Sequence, residues 1–155
     1  MVDMADLEAR VRLLEQECRE SREIEAIKRV KYRYWRCIDT KASDELEDCF
    51  TADAVADYGP NLKLPSRDAI VGFLKETMAR FTGVHHGHDP EIEMIDDTTA
   101  RGTWALWNYM FDKEAGRGIR IGGHYYDEYV KEEGEWKIKS TKEVNVFREI
   151  WDRET

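Results

Sequence analysis

No run of ~18 apolar residues, the length of a membrane-spanning helix, occurs anywhere in this chain of 155 residues. The opening stretch, Met1-Val2-Asp3-Met4-Ala5-Asp6-Leu7-Glu8, is acidic where a secretory leader is basic and then apolar. Cysteine is scarce and odd in number: Cys18, Cys37 and Cys49 show no Cys-x-x-Cys spacing. That argues against a zinc knuckle or a disulfide framework and for reduced thiols. There is no concentrated basic face. The 24 Lys and Arg are mixed among 33 Asp and Glu, for a net charge of -9, so a nucleic-acid backbone is excluded as a partner. Glycine-rich phosphate loops and a Gly-x-Ser-x-Gly elbow are missing too, which argues against phosphate-loop nucleotide binding and serine-nucleophile hydrolysis. The expectation is a soluble, cytoplasmic protein.

What is present suffices for one globular domain. Hydrophobic residues make up 41% of the chain, including five Trp, seven Tyr and five Phe, enough to build a core. Residues 1–155 read as one domain, with residues 1–20 as a peripheral N-terminal helix. In that first segment Leu7, Val11, Leu14 and Cys18 form a helical stripe amid dense charge, solvated or packed on a partner. A break near Ser21 separates it from a helix over 22–38, where Ile24, Ile27, Val30, Tyr34 and Ile38 recur in steps of three and four. Ser43 is placed to cap a short helix through Phe50. Ala54–Tyr58 reads as a brief strand ended by Gly59-Pro60, and Ser66 caps a third helix bearing Ile70, Val71, Phe73, Leu74 and Met78.

The second half changes character. Residues 84–95, 99–112, 118–131 and 135–150 are rich in Val, Ile, Tyr, Trp and Thr and are separated by turn signals at Asp96-Asp97, Glu114-Ala115-Gly116 and Glu133-Gly134. Helices followed by meandering strands predict an α+β domain with helices on one face of an antiparallel sheet. Along 104–110, alternation puts Trp104, Leu106, Asn108 and Met110 on one face and Ala105, Trp107 and Tyr109 on the other. Both faces are largely apolar. The helices cover one, so the other calls for a further subunit.

Two places carry candidate chemistry. The helix over 22–38 runs through Tyr34 and Trp35 into Asp39, where the pattern breaks; Asp39 either closes the helix or enters the interior from its mouth. Far along the chain, three of the four histidines cluster as His85-His86-Gly87-His88. In a regular strand His88 faces away from His85, so a shared pocket needs a bulge, for which Gly87 is a candidate. His86 and His88 share a strand face, the geometry of a metal pair, but no Cys, Asp or Glu stands at clear ligand spacing, and no metal is expected. His124 follows Gly122-Gly123, a pair that marks either a bulge or room for a ligand.

These stretches resemble a known group. Ile24-Glu25-Ala26-Ile27-Lys28, Tyr34-Trp35-Arg36-Cys37-Ile38-Asp39, Asp44-Glu45-Leu46-Glu47 and His85-x-Gly87-His88-x-Pro90-Glu91-Ile92 are similar to the bacterial bile acid 7α-dehydratases, in the SnoaL-like branch of the NTF2-like superfamily. Lindane dehydrochlorinase is similar around Asp39, in the histidine strand and over Ile121-Gly122-Gly123 to Glu128-Tyr129. The resemblance implies a cone-shaped α+β barrel, in which a curved sheet wraps with helices around an apolar pocket. It also implies a homotrimer, with a dimer as the alternative.

For the site, the resemblance implies that Asp39 and His85 form a catalytic dyad and that Tyr34 hydrogen-bonds the substrate or its leaving group. His88 matches a further family histidine. Trp104, Asn108, His124 and Asn145 complete the candidate substrate contacts. The bile acid enzymes carry an aspartate where Asn108 stands and an arginine where Asn145 stands; an asparagine also occurs in the pocket of the related scytalone dehydratase. The implied activity is a lyase without cofactor, eliminating water or another leaving group from a hydrophobic ring compound such as a steroid or aromatic polyketide. A ketosteroid isomerase or polyketide cyclase type of isomerase, and a non-catalytic binding module, are the alternatives.

Overall fold

The structure is a computed structural model that describes residues 3–152; the expectations for residues 1, 2 and 153–155 lie outside it. Helix α1 spans Met4–Thr40, with the Asp3 carboxylate capping its start at the amide of Ala5 (3.0 Å) and Lys41 in the left-handed region closing its end. The break expected near Ser21 is not there. Its neighbours Arg19, Glu20, Arg22 and Glu23 are good helix formers, and one serine costs only a few tenths of a kcal/mol. Burial along α1 begins at Ile27 and continues through Val30, Lys31, Tyr34, Trp35 and Cys37, so only the C-terminal half lies on the core.

The next helix is shorter than expected. It covers Ser43–Leu46 (α2) and tightens into a 3-10 turn over Glu47–Cys49; its cap position is Ala42, with no side-chain cap from Ser43. Strand β1 (Phe50–Asp57) and the two-residue β2 (Lys63–Leu64) precede helix α3 (Arg67–Arg80), whose N-terminus is capped by the Ser66 hydroxyl accepting from the Ala69 amide at 3.2 Å. The remaining chain is β3 (Phe81–Met94), β4 (Thr99–Asp112), β5 (Arg117–Glu132) and β6 (Glu135–Asp152).

The strands form one sheet in the order β2-β1-β6-β5-β4-β3. Every pairing is antiparallel except β1 with β6, which is parallel. The intervening α3 and long hairpins bring the chain back beside β1 in the same direction, a connection no turn signal announces. One face of the sheet packs on α1 and α3 around Trp104, Leu106, Ile121, Tyr125, Tyr129 and Ile138. The other face is open, with Trp107 40%, Tyr109 45% and Phe147 38% exposed.

Two irregularities shape the site end. The β3–β4 register shifts between His88 and Glu91, where Asp89 has φ 49°, so the bulge falls after the histidines and not at Gly87. Gly87 serves packing instead: a Cβ there would lie 1.7 Å from Trp35 Cη2, so its absence lets the indole lie against β3. The β5–β6 register shifts at Gly122/Gly123. A Cβ on Gly122 would meet the Phe147 ring at 2.2 Å, so the paired glycines mark a bulge filled by an aromatic ring, not space for a ligand.

Candidate active site

Asp39 is at the last turn of α1, next to the middle of β3. Its carboxylate accepts three times from one residue: twice from the His85 backbone amide (3.2 and 3.0 Å) and once from the ring, Oδ1 to Nδ1 at 2.7 Å. The acid reaches the sheet from the helix mouth because it lies ~140° around the helix from Tyr34. On the adjacent strand, directly across from His85 in the register, Asn108 is buried and places Nδ2 3.0 Å from His85 Nε2. Both ring nitrogens are therefore held, and the His85 side chain is only 9% exposed.

These partners assign the ring's chemistry. A carboxylate beside Nδ1 requires Nδ1–H as donor, which in the neutral ring leaves the lone pair on Nε2, where the Asn108 amide group donates to it. The Asn108 Oδ1 has no partner. Rotation of that amide would present its oxygen to Nε2–H once the ring is protonated, so one uncharged side chain can serve both forms of the base.

Beside this triad is a cavity of about 60 Å³ walled by Ile38, Asp39, Thr77, Met78, Phe81, Gly83, His85 and Met110. It is largely apolar, yet holds on the order of two waters. A ring compound needs ~300 Å³ or more. Met78 and Met110, unbranched and adaptable, are the walls that yield most cheaply. Outside, Asp39 and His85 also border an open hollow with Tyr32, Trp35, Arg36 and His88.

The other expected site residues are dispersed. Tyr34 is buried, but its hydroxyl is 3.0 Å from that of Tyr58 and its ring packs on Phe50 and Tyr125; it is not a wall of the His85 cavity. Burial raises the Tyr34 phenol well above its ordinary range, so it stays protonated and can donate. Trp104 is fully buried, donates to the Tyr129 hydroxyl (3.0 Å) and stacks edge-on with Trp35, which makes it a core residue and not a substrate contact. His88 is turned to the outer side and pairs with Asp89, Nδ1 to Oδ2 at 2.9 Å, because the bulge comes one residue too late to bring it round. His124 shares the open face with Ala105 and Val144. Asn145 borders a different cleft, with Tyr58, Glu143 and Arg148.

Sequence reasoning missed a buried ionic cluster. Lys31 Nζ is 2.7 Å from Asp127 Oδ2, both side chains fully buried, and 3.8 Å from the Tyr125 ring centroid. Asp127 also accepts from Tyr129 (2.8 Å) and Thr141 (2.7 Å). Burial pulls the Lys31 amine below its ordinary value, while Asp127 opposes the shift. The signal was there: Lys31 lies four residues from Ile27 and three from Tyr34, on the core stripe, and a buried charge demands a partner.

Comparison with known proteins places this geometry. Residues 19–142 match the family described as SnoaL-like domain. A crystal structure from Novosphingobium aromaticivorans DSM 12444, provisionally named a scytalone dehydratase, superposes with TM-score 0.79 at 24% identity over 88% of this chain and 91% of that one. Hexachlorocyclohexane dehydrochlorinase LinA-type3 from Novosphingobium barchaimii LL02 gives TM-score 0.79 at 14% identity, over 87% and 94%. A Kribbella flavida protein gives 0.76 at 18%, over 84% and 95%. At these identities the likeness establishes the fold.

Proposed function

Because the chain belongs to the SnoaL-like domain family, with its small-molecule-enzyme fold, we propose that it is a cofactor-independent lyase that eliminates water, or a comparable leaving group, from a hydrophobic ring compound. The observation that carries this reading is the His85 ring, held at Nδ1 by Asp39 (2.7 Å) and at Nε2 by Asn108 (3.0 Å) against an apolar cavity. In the reaction the Asn108 amide turns away from Nε2 to free its lone pair, Nε2 takes a proton from carbon, the C–H electron pair becomes the new double bond, and the neighbouring C–O bond breaks. The imidazolium, stabilised by Asp39, then returns the proton to the departing hydroxide as water. The turned Asn108 amide donates to the oxygen that gains charge.

An uncharged Asn108 in the position facing Nε2 fits a neutral substrate such as a hydroxylated steroid or aromatic polyketide. The open sheet face supports a homo-oligomer, with the trimer as the proposed form. Among the described residues no helix is long and apolar enough to cross a membrane.

The test is turnover. A panel of hydroxylated steroids and aromatic polyketides is incubated with the protein and followed by mass spectrometry for loss of water. On a hit, His85→Ala and Asp39→Asn should each lower the rate by ~10²–10⁴-fold, the usual worth of positioned acid–base help. Turnover surviving both within about tenfold of wild type, below that range, would make the binding-module reading the better one.

A further inference from the structure

The N-terminal half of α1 is a second, separate surface. Every residue from Asp3 to Arg22 is exposed, and residues 3–18 precede the matched family domain. Yet Met4 (66% exposed), Leu7 (42%), Val11 (44%) and Leu14 (62%) are large apolar side chains standing in water. With Cys18 they recur in alternating steps of three and four, the seam of a coiled coil with Met4, Val11 and Cys18 at a and Leu7 and Leu14 at d. Leu13 lies outside the seam. We propose that this extension pairs with the same segment of a second copy of the chain as a short, parallel, in-register coiled coil.

The flanking charges choose the partner and its direction. On this register the g positions are Asp3, Arg10 and Glu17 and the following e positions are Glu8, Glu15 and Arg22; the terminal pair, Asp3 with Glu8, is like-charged, and the two inner pairs set the direction. Parallel pairing sets Arg10 against Glu15 of the second copy and Glu17 against its Arg22. Both contacts are attractive and both occur twice. In the central layers Val11 at a lies between Leu7 and Leu14 at d, the combination that favours two strands, while Met4 and Cys18 fill the outer a positions. Five seam layers make a marginal coiled coil alone, but the 37-residue α1 continues as a rigid helix into the core, so the segment is presented already folded and the association does not bear the cost of helix nucleation. This pairing is independent of any assembly through the sheet.

Cys18 supplies the readout, because an in-register pair brings the two thiols into one layer. The full-length protein at low micromolar concentration is oxidised with diamide, which takes two protons and two electrons from two thiols. A disulfide-linked dimer is expected on non-reducing gels and is absent in Cys18→Ser, since Cys37 and Cys49 are buried. Val11→Asp/Leu14→Asp should abolish it. Arg10→Glu should slow its formation severalfold, and Arg10→Glu/Glu15→Arg, which restores the pair with its sign reversed, should recover it. No cross-link in the wild type, or cross-linking undiminished by the aspartates, overturns the pairing. Failure of the double charge swap to recover the rate overturns the parallel register.

Discussion

At the scale of single residues, charged groups here are stable where the fold gives them partners. Asp112, at the end of β4, is held at about 2 chiefly by the Arg80 guanidinium (Nε to Oδ1, 3.0 Å), against burial, with the amides of Ala115 and Glu114 helping. A carboxyl depressed in the folded state stabilises above its unfolded value of ~3.9 and loses that contribution as pH falls through the folded one. Asp112→Asn should therefore lower the thermal midpoint at pH 7 and leave little difference near pH 2, in a melting series across that range. The contact between Asp39 and His85 was legible through the family resemblance, which paired the two; residue types alone left Asp39 open between closing the helix and entering the interior. For Lys31 the core stripe showed the burial but not the partner, since nothing local points to Asp127.

At the scale of elements, the four long strands and the Ser66-capped helix were readable from alternation and turn chemistry. The parallel β1–β6 pairing was not, since it depends on a long-range connection with no local signature. Strand parity also governed the site: it kept His85 and Asn108 inward, while the bulge's position beyond His88 was invisible in sequence and left that residue bordering only the outer hollow beside Asp39 and His85. Gly87 shows the same dependence on tertiary structure. Gly87→Ala would drive a methyl into the Trp35 indole, 1.7 Å from Cη2. An overpacking cost of ~1–3 kcal/mol is expected, read as a lowered urea midpoint with unchanged m-value; an unaltered midpoint would show that the indole is free to move.

At the scale of the whole molecule, the sheet has a face the chain does not cover. Trp107 meets Phe147 edge-on (5.5 Å) and Tyr109 packs tilted on Trp151 (5.4 Å), an apolar surface of the kind that marks association. Trp107→Glu/Phe147→Glu should remove the assembly through the sheet, leaving in light scattering no species larger than the dimer paired through α1, and a wild type already monomeric at micromolar concentration would remove that proposal. The proposed elimination turns on His85, whose Nε2 must carry the lone pair. Nitrogen-15 NMR of the histidine rings at neutral pH reads that atom directly. The expected spectrum shows His85 protonated at Nδ1 and bare at Nε2, with the preference lost in Asp39→Ala; a ring protonated at Nε2 and bare at Nδ1 would contradict its assignment as the base.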